Sequence, residues 1–239
     1  MINLYLGDCL DIIPKLKLNS VDLIICDLPY GTTSCKWDSL ISLEKLWDCY
    51  NKVLKKSGKV LLFGIEPFSS QLRMSNLKDY RYDLYWHKTL CSNFMMGKSQ
   101  PFFKIETISV FYKESGTYNP IMREGKPYTI KESHILQQGM QQKYNIKYKS
   151  DIENNGQRYP DNLLDFGSVG GKKKHPTQKP IDLLEYLVKT YSNENDLILD
   201  NCMGSGSTGI ACKNLNRGFI GIEKDVDYFK VAKENLLNE

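Results

Sequence analysis

The chain has 239 residues, of which 41% are hydrophobic and 25% are charged, and its formal net charge is +4. This balance is typical of a globular domain with a sizeable core. A run of about 18 apolar residues would indicate a membrane span, and the sequence has none. The N-terminus lacks the basic start and long apolar run of a signal peptide. We therefore expect a cytoplasmic protein with no membrane partner.

The cysteines argue against two further classes of protein. There are seven of them, an odd number, and no Cys-x-x-Cys pair occurs. This distribution disfavours both a disulfide framework and a zinc site. Reduced thiols in the cytoplasm, and no bound metal, are the expectation.

In chain order, the first half alternates short apolar strands with an amphipathic helix. Val21–Cys26 is an apolar run with β-branched residues, which predicts a buried strand. Gly58 stands where the end of a following helix is expected, and Lys59–Phe63 predicts a second strand. The helix itself is predicted by one apolar face, which collects Leu43, Leu46, Trp47, Tyr50, Val53 and Leu54.

The same alternation returns near the C-terminus. Pro180 opens a predicted helix, and Asp196–Asp200 predicts a strand. Gly218–Ile222 predicts another strand, which ends at Glu223. Alternating strands and helices predict an α/β fold, with a mostly parallel sheet and helices on both faces. Such sheets bind ligands beyond the carboxyl ends of their strands.

Residues 114–171 interrupt this alternation. We predict an inserted segment there, with little regular core, within a single domain that spans residues 1–239. Residues 120–180 hold eleven Lys or Arg against six Asp or Glu. A basic segment of this kind suits a surface that contacts phosphate. A solvated loop rich in lysine explains the charge equally well.

The first chemical motif is Asp27-Leu28-Pro29-Tyr30, which directly follows the first predicted strand. An acid, a stiff proline and an aromatic ring at the carboxyl end of a strand are suited to hold a planar base. Taken alone, the four residues are explained better by an ordinary turn after a strand.

The second motif is a glycine-rich turn, Asp200–Gly209, between a predicted strand and a predicted helix. Gly204 and Gly206 allow the backbone to approach a ligand closely, and the start of the helix offers unpaired N–H groups. Glu223 lies 19 residues after Gly204, a spacing suited to hydrogen bonds with ribose hydroxyls. The combination predicts a nucleoside site.

The glycine pattern also bears on other nucleotide enzymes. The turn has no Gly-Lys-Ser/Thr, which disfavours hydrolysis of nucleoside triphosphates. The string Gly204-x-Gly206-x-x-Gly209 fits a dinucleotide-binding loop, so an NAD-dependent oxidoreductase stays open on the glycines alone.

Taken together and in this order, three motifs resemble the amino-methyltransferases of DNA. They are Asp27–Tyr30, then His175–Pro180 (His-Pro-Thr-Gln-Lys-Pro), then Asp200–Gly209. The catalytic motif precedes the cofactor loop, as in the circularly permuted β group of that family. Flanking strings from Gly7–Leu10 to Thr117–Pro120 also match, so the resemblance covers about three quarters of the chain. The inserted segment does not match.

Two positions depart from the family pattern. Leu28 replaces a proline, and the family mechanism needs only the backbone carbonyl there. Met203 stands where a phenylalanine is common, and either side chain can pack against the cofactor.

The resemblance implies a Rossmann-like methyltransferase fold and transfer of a methyl group from S-adenosylmethionine to an exocyclic amine in double-stranded DNA. Asp27 and the carbonyl of Leu28 would accept hydrogen bonds from the amine. Pro29 would stiffen the turn, and Tyr30 would stack on a base that has left the duplex. Family members that act on adenine mostly carry Asp first, which favours N6 of adenine over N4 of cytosine.

The resemblance also implies the cofactor contacts. Gly204–Gly206 would line the methionine part, Glu223 would bind the ribose, and Asp8 would lie at the adenine end. Thr177 and Lys179 would lie near the methionine carboxylate. The full set is Asp8, Cys9, Thr177, Lys179, Asp200, Met203, Gly204, Ser205, Gly206 and Glu223.

We expect basic residues in and beside the inserted segment to contact DNA. Residues 120–165 are expected to carry most of the sequence specificity, with the first four residues of the set that follows meeting the DNA, and a homodimer is left open. The set is Lys143, Lys147, Lys149, Arg158, Lys172, Lys173 and Lys174.

Other functions remain open at this point. A methyltransferase that acts on RNA or on a protein amide is one, although the protein-glutamine enzymes begin the motif with Asn rather than Asp. A nucleic-acid-binding protein that has lost catalysis is another. The intact Asp27, Pro29 and Tyr30 argue against such a loss.

Overall fold

The computed structural model describes residues 1–31, 40–91, 93–131, 151–168 and 179–237. Over these residues it contains twelve strands: β1 (Ile2–Leu6), β2 (Val21–Cys26), β3 (Leu54–Gly64), β4 (Tyr80–Lys88), β5 (Ile105–Tyr112), β6 (Arg123–Glu124), β7 (Tyr128–Ile130), β8 (Ile152–Asn154), β9 (Gln157–Arg158), β10 (Leu163–Phe166), β11 (Leu197–Asp200) and β12 (Gly218–Glu223).

Six α-helices are described: α1 (Cys9–Ile12), α2 (Leu43–Val53), α3 (Phe68–Ser75), α4 (Ile181–Tyr191), α5 (Ser207–Asn214) and α6 (Val226–Leu237). Two short 3-10 helices cover Ile13–Lys15 and Phe94–Met96. None of the helices in the described ranges is long and apolar enough to cross a membrane.

The chain divides into two compact units, and the larger one comprises residues 1–119 and 162–239. Its sheet has eight strands in the order β1-β12-β11-β2-β3-β5-β4-β10. β5 is antiparallel to its neighbours β3 and β4, and every other neighbouring pair in this sheet is parallel. The predicted α/β fold with a mostly parallel sheet is therefore confirmed.

Helices cover both faces of this sheet. Successive residues of a strand point to opposite sides, so a strand in the middle of the sheet contacts helices on each face. Leu23 and Ile25 of β2 belong to a buried cluster that includes residues of α4, α5 and α6. Ile24 and Cys26 of the same strand belong to a second cluster with residues of α2 and α3. Both faces are thus apolar, which is why the strand reads as a continuous hydrophobic run.

The boundary between α2 and β3 differs from the prediction. Ser42 caps the helix by accepting a hydrogen bond from the Lys45 N–H, and the helix ends at Val53. The strand starts at once with Leu54, so Gly58 lies inside β3 and does not mark the end of the helix. β3 pairs with β2 at Leu54 opposite Val21 and again from Lys59 opposite Leu23, with an irregularity in the register between the two.

The smaller unit covers residues 120–161 and is described by itself. It contains two antiparallel strand pairs, β6 with β9 and β7 with β8. It is narrower than the predicted segment 114–171, because β10 (Leu163–Phe166) joins the main sheet beside β4. Most of the basic residues predicted to contact DNA from this segment, Lys143, Lys147 and Lys149, lie outside the described residues.

Gly221 in β12 offers a test of the packing beneath the predicted cofactor loop. A Cβ added there would lie 2.2 Å from Met203 Sδ and 2.7 Å from Phe219 Cε1. We expect Gly221→Ala to lower the free energy of unfolding by about 1–3 kcal/mol, because overpacking forces the neighbours to move. Gly167→Ala is the matched control, since a Cβ there meets no atom within 4 Å. Equal midpoints of urea unfolding for the two variants would contradict the packing described here.

Candidate active site

Three acidic residues predicted to be functional lie at one edge of the sheet. Asp27 follows β2 directly, Asp200 ends β11, and Glu223 ends β12. These strands are neighbours and parallel, so their carboxyl ends meet. The edge is where an open α/β sheet binds its ligands.

Both carboxylate oxygens of Asp27 accept hydrogen bonds. The Tyr30 hydroxyl donates to Oδ1 at 2.5 Å, and the Lys179 ammonium donates to Oδ2 at 2.6 Å. The Tyr30 ring also packs against Phe68, with ring centroids 5.0 Å apart. Asp27, Tyr30 and Lys179 are therefore brought together, although 152 positions separate Asp27 from Lys179.

Leu28 has a buried side chain, with 3% of its surface exposed, in the same apolar cluster as Phe68. This packing gives a physical reason for leucine at the position where the family has proline. Burial of the side chain restrains the turn. Pro29, the next residue, is half-buried.

Glu106 of β5 lies in the same candidate site, and no sequence motif predicted it there. Its Oε1 lies 2.7 Å from Lys179 Nζ, and its Oε2 lies 3.5 Å from Lys88 Nζ. Tyr30 completes the group with a hydroxyl 3.4 Å from Oε1. The available signal was an acid within the apolar run of β5. No sequence motif assigned a role to Lys88.

The ionisation of these groups is governed by burial and by their mutual charges. Burial raises the pKa of Asp27, with the Glu106 charge adding to the rise and the Lys179 charge opposing it. Burial would also raise the pKa of Glu106, but Lys179 and Lys88 outweigh it and hold that pKa below the usual range. Burial opposes the charge on Lys179, yet the two carboxylates raise its pKa. A charged lysine thus lies between two acids.

The predicted cofactor loop, which follows β11, is held by Glu223 at the end of β12. Glu223 Oε2 accepts a hydrogen bond from the Gly204 N–H at 2.8 Å, and Oε1 accepts one from the Asp225 N–H at 2.8 Å. Gly204 and Gly206 have φ angles of 52° and 83°, a left-handed backbone that favours glycine. Burial raises the pKa of Glu223, against the backbone hydrogen bonds that lower it.

Asp200 supports the loop from inside. It is 4% exposed and accepts hydrogen bonds from the Cys202 N–H and the Thr208 hydroxyl, at 3.1 and 2.7 Å. Burial raises the pKa of Asp200 to about 7. Asp200 therefore holds the loop in place, and its contact with the cofactor stays a prediction. Met203 and Ser205 of the same loop are buried.

Asp8 and Cys9 lie beside Glu223 at the next strand. β1 pairs with β12 so that Leu6 is opposite Glu223. Asp8 caps α1 by accepting a hydrogen bond from the Leu10 N–H at 3.0 Å, and this bond lowers the pKa of Asp8. Cys9 is buried just after it.

The remaining predicted residues are placed differently. Arg158 lies in the smaller unit, where its guanidinium donates to Asn154 and to the Lys126 carbonyl and covers the Tyr128 ring. A phosphate contact by Arg158 stays a prediction. It would use the same guanidinium that already makes contacts within this unit. Four other predicted residues lie outside the described residues, namely Thr177, Lys172, Lys173 and Lys174.

Comparison with solved structures defines the class of protein. The crystal structure of the M1.HpyAVI complex with SAM matches with a TM-score of 0.69 and 28% sequence identity, over 100% of both chains. The sheet described above is therefore the Rossmann-like fold of S-adenosylmethionine-dependent methyltransferases.

The DNA methylase family model, N6_N4_Mtase, matches residues 21–234. The chain therefore belongs to the DNA methylase family, and it is an S-adenosylmethionine-dependent DNA methyltransferase. Membership decides against the NAD-dependent oxidoreductase that the glycines alone had left open.

Curated relatives agree with this family. The type II methyltransferase M.HpaI of Haemophilus parainfluenzae is 30% identical over 242 residues, covering 94% of this chain and 71% of the relative. The DNA adenine methyltransferase YhdJ of Escherichia coli is 29% identical over 255 residues, covering 96% of this chain and 81% of the relative.

Proposed function

We propose that this enzyme methylates the N6 amine of adenine at a specific sequence in double-stranded DNA. The observation that carries the proposal is the carboxylate of Asp27, held at the ligand-binding edge by Tyr30 and Lys179. A carboxylate is a stronger hydrogen-bond acceptor than the hydroxyl of Ser or Thr. A relative that matches over 81% of its own length is named a DNA adenine methyltransferase, which supports adenine.

The chemistry requires an acceptor of this kind. The lone pair of an exocyclic amine is delocalised into the ring, so the amine is a weak nucleophile. Asp27 and the carbonyl of Leu28 would accept its two N–H groups and localise the lone pair. As positive charge develops on the nitrogen, the negative charge of Asp27 stabilises it. Tyr30, packed on Phe68, would stack on the flipped base.

The residues at the neighbouring strand ends fit S-adenosylmethionine, which supplies an electrophilic methyl group when it is bound. A carboxylate at the end of β12 suits the ribose hydroxyls, and this is the place of Glu223. The turn at Gly204–Gly206 exposes backbone for the methionine part, with Asp8 at the adenine end. We propose Thr177 and Lys179 near the methionine carboxylate, although Lys179 also contacts Asp27.

The order of the motifs supports assignment to the permuted β group. The catalytic strand β2 comes before the cofactor strand β11 in the chain, yet the two are paired in the sheet. We propose that residues 114–171, including the smaller unit, recognise the DNA target. The basic residues Lys143, Lys147, Lys149 and Arg158 are the proposed contacts.

The test of the base is direct. Purified protein is incubated with S-adenosylmethionine and unmethylated genomic DNA, and the DNA is digested to nucleosides and separated by mass. We expect N6-methyladenosine in its deoxy form and no methylated cytidine. N4-methylcytidine in place of the adenine product would overturn the base and leave the enzyme class unchanged.

A further inference from the structure

We propose that Glu106 is a positioning residue for the reaction, which acts on the catalytic Asp27 by competing with it for one buried lysine, Lys179. The inference rests on the proposed function, in which Asp27 accepts the target amine. Glu106 does not need to touch the base or the cofactor in this role.

The competition is visible in the geometry. Lys179 Nζ lies 2.6 Å from Asp27 Oδ2 and 2.7 Å from Glu106 Oε1, so the two acids share the ammonium almost equally. Asp27 follows β2 and Glu106 lies in β5, and strand β3 runs between them. The ammonium crosses that gap above Phe63 of β3, 4.9 Å from the ring centroid.

The group is shielded from water, so its charges interact strongly. Exposed fractions of the side chains are small, at 23% for Asp27, 11% for Lys179, 8% for Glu106 and 11% for Lys88. A second buried acid is costly unless it is paired, and Glu106 has both lysines as partners. Two acids and two lysines give this group a net charge of zero.

Sharing the lysine keeps Asp27 available as an acceptor. If Lys179 were paired with Asp27 alone, its ammonium would neutralise more of the negative charge of Asp27. That negative charge is what stabilises the target amine as the methyl group is transferred. With Glu106 opposite, the ammonium is drawn away from Asp27, while still fixing the direction of that carboxylate. Glu106 therefore lets Lys179 orient the Asp27 carboxylate without fully neutralising its charge.

The pH dependence follows from the groups that face Asp27. They are Lys179 just before α4, Glu106 of β5, Tyr30 from the following turn, Asp200 of β11 and Cys26 of β2, with Lys88 facing Glu106. Activity requires ionised Asp27, so it is lost as pH falls through the folded pKa of this acid. Glu106 raises that pKa and Lys179 lowers it. Removing each should move the acidic limb in opposite directions.

The experiment compares Glu106→Gln and Lys179→Met at saturating S-adenosylmethionine on unmethylated genomic DNA. For Glu106→Gln we expect kcat to fall on the order of tenfold at the pH optimum. Its acidic limb should shift to lower pH, with unchanged affinity for S-adenosylmethionine. For Lys179→Met the acidic limb should shift to higher pH. A residue that only supports the fold would not produce opposite shifts.

Controls separate folding from positioning. Glu106→Gln/Lys88→Met restores a net charge of zero and should show the same lower kcat and shifted limb. Glu106→Asp should recover part of the loss, and Glu234→Gln, an exposed change on α6, should match the wild type. Wild-type kcat and pH profile in both Glu106→Gln and the double variant would overturn the inference. An active Asp27→Asn would instead overturn the proposed function itself.

Discussion

Replacing Asp27 with alanine is expected to abolish methyl transfer while leaving S-adenosylmethionine binding largely intact. The reason is that Asp27 is the acceptor of the target amine in our proposal. The proposed cofactor loop at Gly204–Gly206 follows β11, whereas Asp27 follows β2, so the substitution leaves that loop unchanged. Loss of one preorganised electrostatic partner typically reduces kcat by at least about a hundredfold, or about 2.7 kcal/mol. The measurement is transfer of a labelled methyl group to DNA, beside calorimetric binding of the cofactor.

The structure explains why this variant should still fold. Without Asp27, the buried Lys179 keeps Glu106 as its partner at 2.7 Å. Asp27→Asn is the matched control, because it keeps the shape and removes the charge, and it should be nearly as inactive. Activity within about tenfold of wild type for the alanine variant would contradict the assignment of Asp27.

Replacing Glu223 with alanine is expected to weaken cofactor binding. The carboxylate accepts a hydrogen bond from the Gly204 N–H of the loop, and it is the proposed acceptor of the ribose hydroxyls. Hydrogen bonds to a charged group are worth about 1.5–3 kcal/mol, so the Kd for S-adenosylmethionine should rise at least about tenfold. Calorimetric titration measures this Kd, and kcat at saturating cofactor should fall less than kcat/KM.

Two further variants make the Glu223 result interpretable. Glu223→Gln keeps one acceptor oxygen for the loop and should show a smaller loss of affinity. Glu234→Ala removes an exposed acid of α6 and should bind the cofactor as the wild type does. A wild-type Kd for Glu223→Ala would remove this residue from the proposed cofactor site.

Much of the fold could be predicted from hydrophobic patterns. The apolar runs Val21–Cys26 and Asp196–Asp200 gave strands within one residue of β2 and β11, and the mostly parallel sheet is confirmed. The reversal of β5 could not be predicted, because an apolar run reads the same in either direction. The start of β3 was also missed, since Leu54 continues the apolar face of α2 and hides the change of structure.

Candidate site residues could be predicted where they directly follow a strand. Asp27 and Glu223 could be proposed because each acid stands directly after an apolar run, and the order of the motifs gave Asp27 its catalytic role by resemblance. Glu106 and Lys88 were missed because their contacts join parts of the chain that only the sheet order brings together. The pairing of Lys179 with Asp27 was missed for the same reason.

The central claim is tested most directly by sequencing genomic DNA from a host that expresses the protein, with detection of modified bases. We expect N6-methyladenine at nearly every copy of one short sequence in cells with the wild-type chain. Cells with Asp27→Ala should show none at that sequence. Unmodified DNA with the wild type, or the same methylation pattern with the variant, would contradict a DNA adenine methyltransferase that works through Asp27.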